Sequence, residues 1–364
     1  MNLTDRVVAA RARRVWRKAL EPAAAALRER GVDGLLVCEA TSGVDQAARS
    51  AGLPVCNIPC SGDLDLPFVW RLRRVLAEEK PDLVHCHSRR GGDFLGGQAA
   101  AMADVPAIVS RRVDNPESPM RARLRYRKFR KVVAISETIA DVLRDAGLDQ
   151  ERLVIIRSAV DIGPLLKVPD KDAFRREFGI AGNSIVLGAI GQLIERKGHR
   201  FLLDAMATVV ESHPQLQLLI FGEGPLAEDL RGQCQALGLA EKVRFAGFRD
   251  DLDEWIGCLD VVVHPALAEG LGVALLKAAA AAVPVVAFAA GGAREAVKDG
   301  ETGLLVPPAD VSGLGGAIAT LVADRKMRER FGESGRERMQ REFTVDAMVE
   351  KHVTLYETIC SGQD

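Results

Sequence analysis

Short apolar runs alternate with amphipathic helical patterns along almost the whole chain, and this alternation constrains the fold more than any other feature. Gly34–Cys38, Leu83–His85, Ala107–Ser110, Val132–Ile135 and Leu153–Ile156 are apolar runs of strand length. Helix-like stretches such as Phe68–Glu79 and Glu137–Ala146 lie between them. Strands buried on both faces read as continuous apolar runs, so the pattern predicts parallel sheets covered by helices on both sides. The rhythm pauses over Asp161–Asp172, where Gly163, Pro164 and Pro169 mark a linker. It resumes with strand candidates at Ile185–Ile190, Leu216–Phe221, Val243–Ala246, Asp260–His264 and Val285–Ala289. Helices are expected at His199–Ser212, Leu226–Leu237, Val273–Ala282 and Gly292–Lys298. Pro284 stops the alanine-rich helix, and from Val311 onward the chain is mostly helical.

A chain of 364 residues, 48% of them hydrophobic, has material for about two domains. The expected organisation is α/β: two doubly wound Rossmann-like domains over residues 1–165 and 166–340, then a C-terminal helix over 341–364 that crosses back to the first domain. Ligands of such sheets sit at the carboxyl ends of the strands, so two facing domains would place a site in a central cleft. The net charge of −1 gives no global case for nucleic acid. Seven isolated cysteines without a CxxC pair indicate neither a zinc site nor a disulfide framework, and point to a reducing cytosol. Arginines are spread through the N-terminus, which is no secretory signal, and no run approaches the ~20 apolar residues of a membrane span.

The densest motif is Glu269-Gly-Leu-Gly272, set between the strand candidate ending at His264 and a helix from Val273. Glycines let backbone come close to a ligand, and a helix start offers unpaired N–H groups to phosphate. A carboxylate in the same loop can hold neutral hydroxyls, a combination that suits a nucleotide-sugar. Gly191-Gln-Leu-Ile-Glu-Arg-Lys-Gly198 ends the strand candidate Ile185–Ile190. Arg196 and Lys197 are either a solvated surface pair or donors to a diphosphate. Gly222-Glu223-Gly224-Pro225 is either a tight turn or a glycine wall against a nucleotide base. His264-Pro265, Gly291-Gly292 and Asp299–Gly303 read as turns.

These stretches, with "LLIFGEGP", "VRFAGF", "PDLVHCHS" and "KVVAISETI", resemble the retaining glycosyltransferases of family 4, which have the GT-B fold. The resemblance spans roughly Val32 to Phe343 and is most specific in the second half. It implies that Arg196 and Lys197 bind the donor diphosphate, and that Glu269 meets sugar hydroxyls while the amides of Gly270, Leu271 and Gly272 hold phosphate. Gly191, Gly222 and Glu223 would also contact the donor, and His87 would reach across the cleft to the transferred sugar. No cofactor and no metal are implied, because basic side chains and a helix start stabilise the departing diphosphate. The implied enzyme is a retaining, hexosyl-type transferase that moves sugar from a nucleoside-diphosphate donor to a glycan or lipid-linked acceptor, in lipopolysaccharide or capsule assembly.

The sequence departs from the family pattern in places. The second acidic position holds Lys277, which has three donors and no acceptor. Losing a carboxylate that accepts from ribose hydroxyls would cost about 1.5–3 kcal/mol, one to two decades in affinity. Lys277 either reaches phosphate, binds ribose oxygens weakly, or points away. Met1–Leu20 holds only Val7-Val8 as an apolar pair, with Arg14-Val15 where a glycine pair is expected, so a first strand is either missing or replaced by a basic helix. Arg157–Asp161 and Gln192 also depart from the family's usual residues. These departures support the alternative of a weakened or non-catalytic GT-B scaffold protein; a phosphorylase-type or epimerase enzyme lacks its cofactor-lysine motif here. Finally, Arg111, Arg112, Arg121, Arg123, Arg125, Arg127, Lys128, Arg130 and Lys131 crowd one segment, and Arg6, Arg11, Arg13, Arg14, Arg17 and Lys18 another. Such local positive fields are either a solvated face, a contact for an anionic membrane surface through Arg121–Lys131, or a site for a phosphorylated lipid or glycolipid acceptor; nucleic acid, which would need an aromatic platform, fits less well. The implied location is cytoplasmic, at the inner face of a membrane.

Overall fold

The computed structural model describes residues 5–10, for their backbone, and residues 23, 25–62, 64–87 and 92–362. They form two compact units, Met1–Asp161 with Thr344–Asp364, and Ile162–Phe343. The chain therefore leaves the first unit once and returns to it at its end.

Unit 1 holds a seven-stranded parallel sheet: β1 Asp5–Ala10, β2 Val32–Cys38, β3 Val55–Asn57, β4 Leu83–Cys86, β5 Ala107–Arg111, β6 Lys131–Ala134 and β7 Leu153–Ile155. The strand order is β3-β2-β1-β4-β5-β6-β7. The expected loss of a first strand is thereby corrected. β1 lies in the middle of the sheet, with Val7 opposite both Gly34 and Leu83. Two flanking partners make it a strand despite its short apolar pair, because backbone pairing substitutes for local propensity. The N-terminal basic run from Arg11 to Lys18 and the Arg14-Val15 position lie outside the described residues.

Unit 2 repeats the plan with six parallel strands: β8 Ile185–Ile190, β9 Leu216–Phe221, β10 Val243–Gly247, β11 Val261–His264, β12 Val285–Phe288 and β13 Gly303–Val306. Their order is β10-β9-β8-β11-β12-β13. In each sheet the order reverses beside the first strand, between β1 and β4 and between β8 and β11. Such reversal points open a crevice at the carboxyl edge. The helix His199–Ser212 buries Leu202, Leu203, Met206 and Val209, an i, i+3/i+4, i+7 stripe that packs into the unit 2 core.

The helix Val345–Cys360 begins at Thr344, whose side chain accepts from the Ala347 N–H. It buries Leu355, Tyr356 and Ile359 against Val32, Leu83, Ile108, Val133 and Ile156 of unit 1. A segment more than 180 residues beyond β7 thus completes the first core.

Candidate functional site

In unit 2 the two loops at the reversal point are fastened to each other. The loop after β8 ends in a 3-10 turn, Glu195–Lys197, and then Gly198 in the left-handed region at φ 66°. A Cβ on Gly198 would lie 2.0 Å from the Pro265 carbonyl oxygen, so only glycine permits this approach. The Leu267 N–H donates to the Arg196 carbonyl at 2.9 Å. These two backbone contacts fix the distance between the Lys197 and Glu269 side chains.

Lys197 Nζ lies 2.5 Å from Glu269 Oε2, and His264 Nε2 lies 2.7 Å from the same oxygen. A carboxylate only accepts, so His264 donates from Nε2. Burial alone would push the Glu269 carboxyl up; the His264 hydrogen bond and the positive charge of Lys197 outweigh it and hold Glu269 well below the usual carboxylate range. Burial also lowers His264, which stays a neutral donor. Among the described residues, nothing donates to Glu269 Oε1. His264 was expected to be a simple strand-terminating turn residue; its strand-end position before proline was the available signal.

The helix Val273–Ala280 starts directly after Gly272, which caps it at φ 85° without a side-chain bond. Its first-turn N–H groups point out of the helix start. Leu271 is buried and Gly270 half-buried, while Arg196 and Glu223 are exposed. A Cβ on Gly191 would meet the Lys197 side chain only at ordinary contact, 3.6 Å at the nearest. Gly222 has a packing requirement of its own. At φ 146° its Cα faces the Gly191 carbonyl, where a Cβ would lie 1.9 Å from the oxygen. Its glycine is required by loop-on-loop packing.

Lys277 lies on the helix Val273–Ala280 that follows this loop. Its Nζ lies 2.5 Å from Asp253 Oδ1 in a largely buried pair, on the short helix Leu252–Trp255. The ammonium is paired with a carboxylate on that neighbouring helix. Asp253 itself was not anticipated.

In unit 1, His87 follows β4. The β4 residue His85 is fully buried: its Nδ1 lies 2.7 Å from the Tyr356 hydroxyl and its Nε2 lies 2.8 Å from Ser110 Oγ. The His85 and His87 rings stack at 3.7 Å between centroids. Burial, with the charge of Arg112 and the neighbouring His352, holds His87 well below the usual imidazole range, so it is neutral near pH 7. Arg112 Nη2 bonds Ser158 Oγ at 3.1 Å. A cavity of about 120 Å³ runs beside His87, Arg112 and Ser158 and along Leu27, Ile156 and Met348. Tyr356 lies 271 residues from His85, so no local pattern could have revealed this support.

The basic run Arg111–Lys131 is divided. Arg111 Nη1 bonds Glu117 Oε2 at 2.9 Å and Tyr126 at 2.8 Å, and Arg125 bonds Asp93 Oδ2 and Glu117 Oε1 at 2.7 Å each. Both are removed from the surface. Arg121, Arg123, Arg127, Lys128 and Arg130 are exposed. Among the described residues, no helix is long and apolar enough to cross a membrane.

Comparison with known proteins gives a consistent set of likenesses. The model of the group 1 glycosyl transferases matches residues 170–338, and that of glycosyltransferase family 4 matches residues 23–163. The lipopolysaccharide core biosynthesis glycosyltransferase LpsE of Rhizobium meliloti is 28% identical over 91% of this chain and 92% of its own length. The GDP-mannose-dependent alpha-(1-6)-phosphatidylinositol monomannoside mannosyltransferase of Mycolicibacterium smegmatis is 31% identical over 80% of this chain and 81% of its own. The crystal structure of Anabaena Alr3699/HepE in complex with UDP superposes with a TM-score of 0.86 at 22% identity, covering 97% of this chain and 100% of that one.

Proposed function

The chain belongs to the family 4, group 1 glycosyltransferases, and from that premise we propose that it moves a sugar from a nucleoside-diphosphate donor to a glycan or lipid-linked acceptor in cell-surface polysaccharide or lipopolysaccharide assembly. The relatives support this reading: LpsE is a lipopolysaccharide core biosynthesis glycosyltransferase, the mycolicibacterial relative a phosphatidylinositol monomannoside mannosyltransferase, and an Escherichia coli relative a UDP-Gal:alpha-D-GlcNAc-diphosphoundecaprenol alpha-1,3-galactosyltransferase. A non-catalytic scaffold is not favoured.

The observation that carries the reading is the convergence of Lys197, His264 and Glu269 at the reversal point of sheet β8–β13. Glu269 Oε2 is committed to Lys197 and His264, which orients Oε1 to accept from sugar hydroxyls. Lys197, with exposed Arg196 beside it, faces the diphosphate together with the N–H groups that open the helix at Gly272. As the bond from the anomeric carbon to the diphosphate oxygen breaks, these cations and dipoles take up the growing negative charge, so the chemistry needs no metal. The acceptor hydroxyl enters on the face the leaving group vacates, retaining configuration, and its proton goes to the departing phosphate oxygen. No side-chain nucleophile is assigned. Neutral His87, backed by His85, offers a hydrogen bond beside the unit 1 cavity. The acceptor is carried at the inner face of a membrane, which the protein meets through Arg121–Lys131.

Calorimetric titration with a panel of nucleoside diphosphates tests the donor half. One of them should bind, and Lys197→Ala should weaken it by about tenfold or more. If no nucleoside diphosphate binds and no donor is turned over with or without acceptor, the transfer reading is wrong.

A further inference from the structure

Lys277 stands in the second turn of the helix Val273–Ala280, about 6 Å of rise beyond its first residue. Side chains leave a helix tilted toward its N-terminus, here the end that carries the Gly270–Gly272 amides. The Lys277 ammonium lies 2.5 Å from Asp253 Oδ1, and 19% and 17% of the two side chains stay exposed. A lysine has no acceptor of its own; the acceptor at this place is the carboxylate opposite it.

Asp253 is delivered by the segment that follows β10. Gly247 ends that strand at φ 70°, and its carbonyl accepts from the Gly222 N–H at 2.8 Å, so the segment leaves from the carboxyl edge of the sheet. Arg249 then holds Asp251 with two bonds, Nε to Oδ1 at 2.8 Å and Nη2 to Oδ2 at 2.7 Å. Trp255 Nε1 donates to the same Oδ2 at 2.9 Å, and Arg249 Nη1 bonds Glu177 Oε1 at 2.8 Å. The short helix Leu252–Trp255 is thereby braced on both sides of Asp253, and the carboxylate is placed in advance of any ligand.

An ion pair of this kind is neutral as a whole and adds little attraction for phosphate, while its acid alone would repel one. A carboxylate has about four lone-pair sites, so the ammonium leaves it able to accept from neutral hydroxyls. Along the chain Glu269 comes first, then the Gly270–Gly272 amides, then Lys277 with Asp253 against it. In a nucleoside-diphosphate-sugar the diphosphate likewise separates the transferred sugar from the ribose, which carries two adjacent hydroxyls. We propose that Asp253, held in place by Lys277, accepts hydrogen bonds from the ribose hydroxyls of the donor. Asp253 is then the residue that tells a ribonucleotide from a deoxyribonucleotide, and Lys277 is its positioning residue. The proposal depends on the donor reading of unit 2 and adds to it a carboxylate from a helix outside the Glu269 loop.

Calorimetric titration of the full chain with UDP, GDP and ADP, each beside its 2′-deoxy and 3′-deoxy counterparts, tests it. For the diphosphate that binds, loss of a ribose hydroxyl should weaken affinity by about tenfold. Asp253→Ala with Lys277→Met leaves no unpaired buried charge. It should cut that preference to about twofold or less, by weakening the ribo form while the deoxy forms keep their affinity. Retained deoxy binding also shows that the variant is folded. Asp253→Asn, which keeps the shape of the side chain, should move the ratio the same way by a smaller factor. Equal binding of ribo and deoxy forms by the unsubstituted chain would overturn the proposal. So would a preference that survives the double variant, or an equal loss of both forms, which would make the pair a mere support of the pocket. If none of the diphosphates binds, the donor reading falls and takes this one with it. Binding without the ribose preference sinks this one alone.

Discussion

The two units share a strand order but equip the reversal point in different ways. In unit 2 the site is made of two loops, Gly191–Gly198 and His264–Gly272, whose Lys197 and Glu269 lie 72 residues apart, sewn together by backbone contacts so that one carboxylate oxygen holds two donors. In unit 1 the corresponding edge carries neutral histidines, and His85 is braced by a tyrosine that arrives from the far end of the chain. A site that must hold charge is built stiffly, from loops at adjoining strand ends of one sheet. A site that presents hydrogen bonds beside a cavity draws its support from a distant helix.

The largest way to break this comparison is to end the chain at Phe343. Val349, Leu355, Tyr356 and Ile359 are buried, and their transfer to water removes on the order of 10 kcal/mol, comparable with the whole stability of a domain. Unit 1 should then lose cooperative unfolding while unit 2 keeps its own; hydrogen exchange resolved by segment would show it. Equal protection in both units would mean that the helix is dispensable.

A smaller effect falls on the chemistry of unit 2. Glu269→Ala should lower the rate of transfer by about a hundredfold or more. Nucleoside-diphosphate binding should be retained, because Lys197 is released to phosphate. Parallel loss of both would show that the carboxylate acts only by supporting the pocket.

Acid should weaken the units together. Burial foremost holds His199 in unit 2 and His352 in unit 1 at about 4. Their unfolded counterparts take up a proton near 6.5. Both contributions are complete above pH 6.5 and are lost as pH falls toward 4, up to about 3 kcal/mol each. Urea midpoints that stay level from pH 7 to about 4.5 would contradict this assignment.

The mildest change is Lys277→Glu. It places a carboxylate against Asp253 in a partly buried setting and should destabilise unit 2 by about 1–3 kcal/mol. Adding Asp253→Asn should recover most of the loss. A single variant as stable as the parent would show that the pair contributes nothing.

The long, periodic elements were legible. Ile185–Ile190, Leu216–Phe221 and His199–Ser212 run between the residues the pattern marks. The strands missed were β1, β3 and β13. Val55–Asn57 has three residues, Gly303–Val306 is read as the tail of a turn, and Asp5–Ala10 is paired on both sides in spite of its composition. In each, pairing with neighbours outweighs the local signal. Glu269, Lys197 and the helix start were found because glycines and charges cluster at strand ends. His264, Asp253, His85 and Tyr356 were not, because one was read as a turn and the others act through partners far along the chain.

Sequence alone determined the doubly wound architecture, the family and the loop that bears Glu269, because apolar periodicity and glycine spacing are local properties that a short window records. Tertiary structure decided which cations are spent inside the protein and which stay exposed, that Lys277 pairs with Asp253, and which residues of the last helix enter the first core. Those outcomes depend on which buried charge finds which partner, and desolvation makes that choice only once the chain has closed.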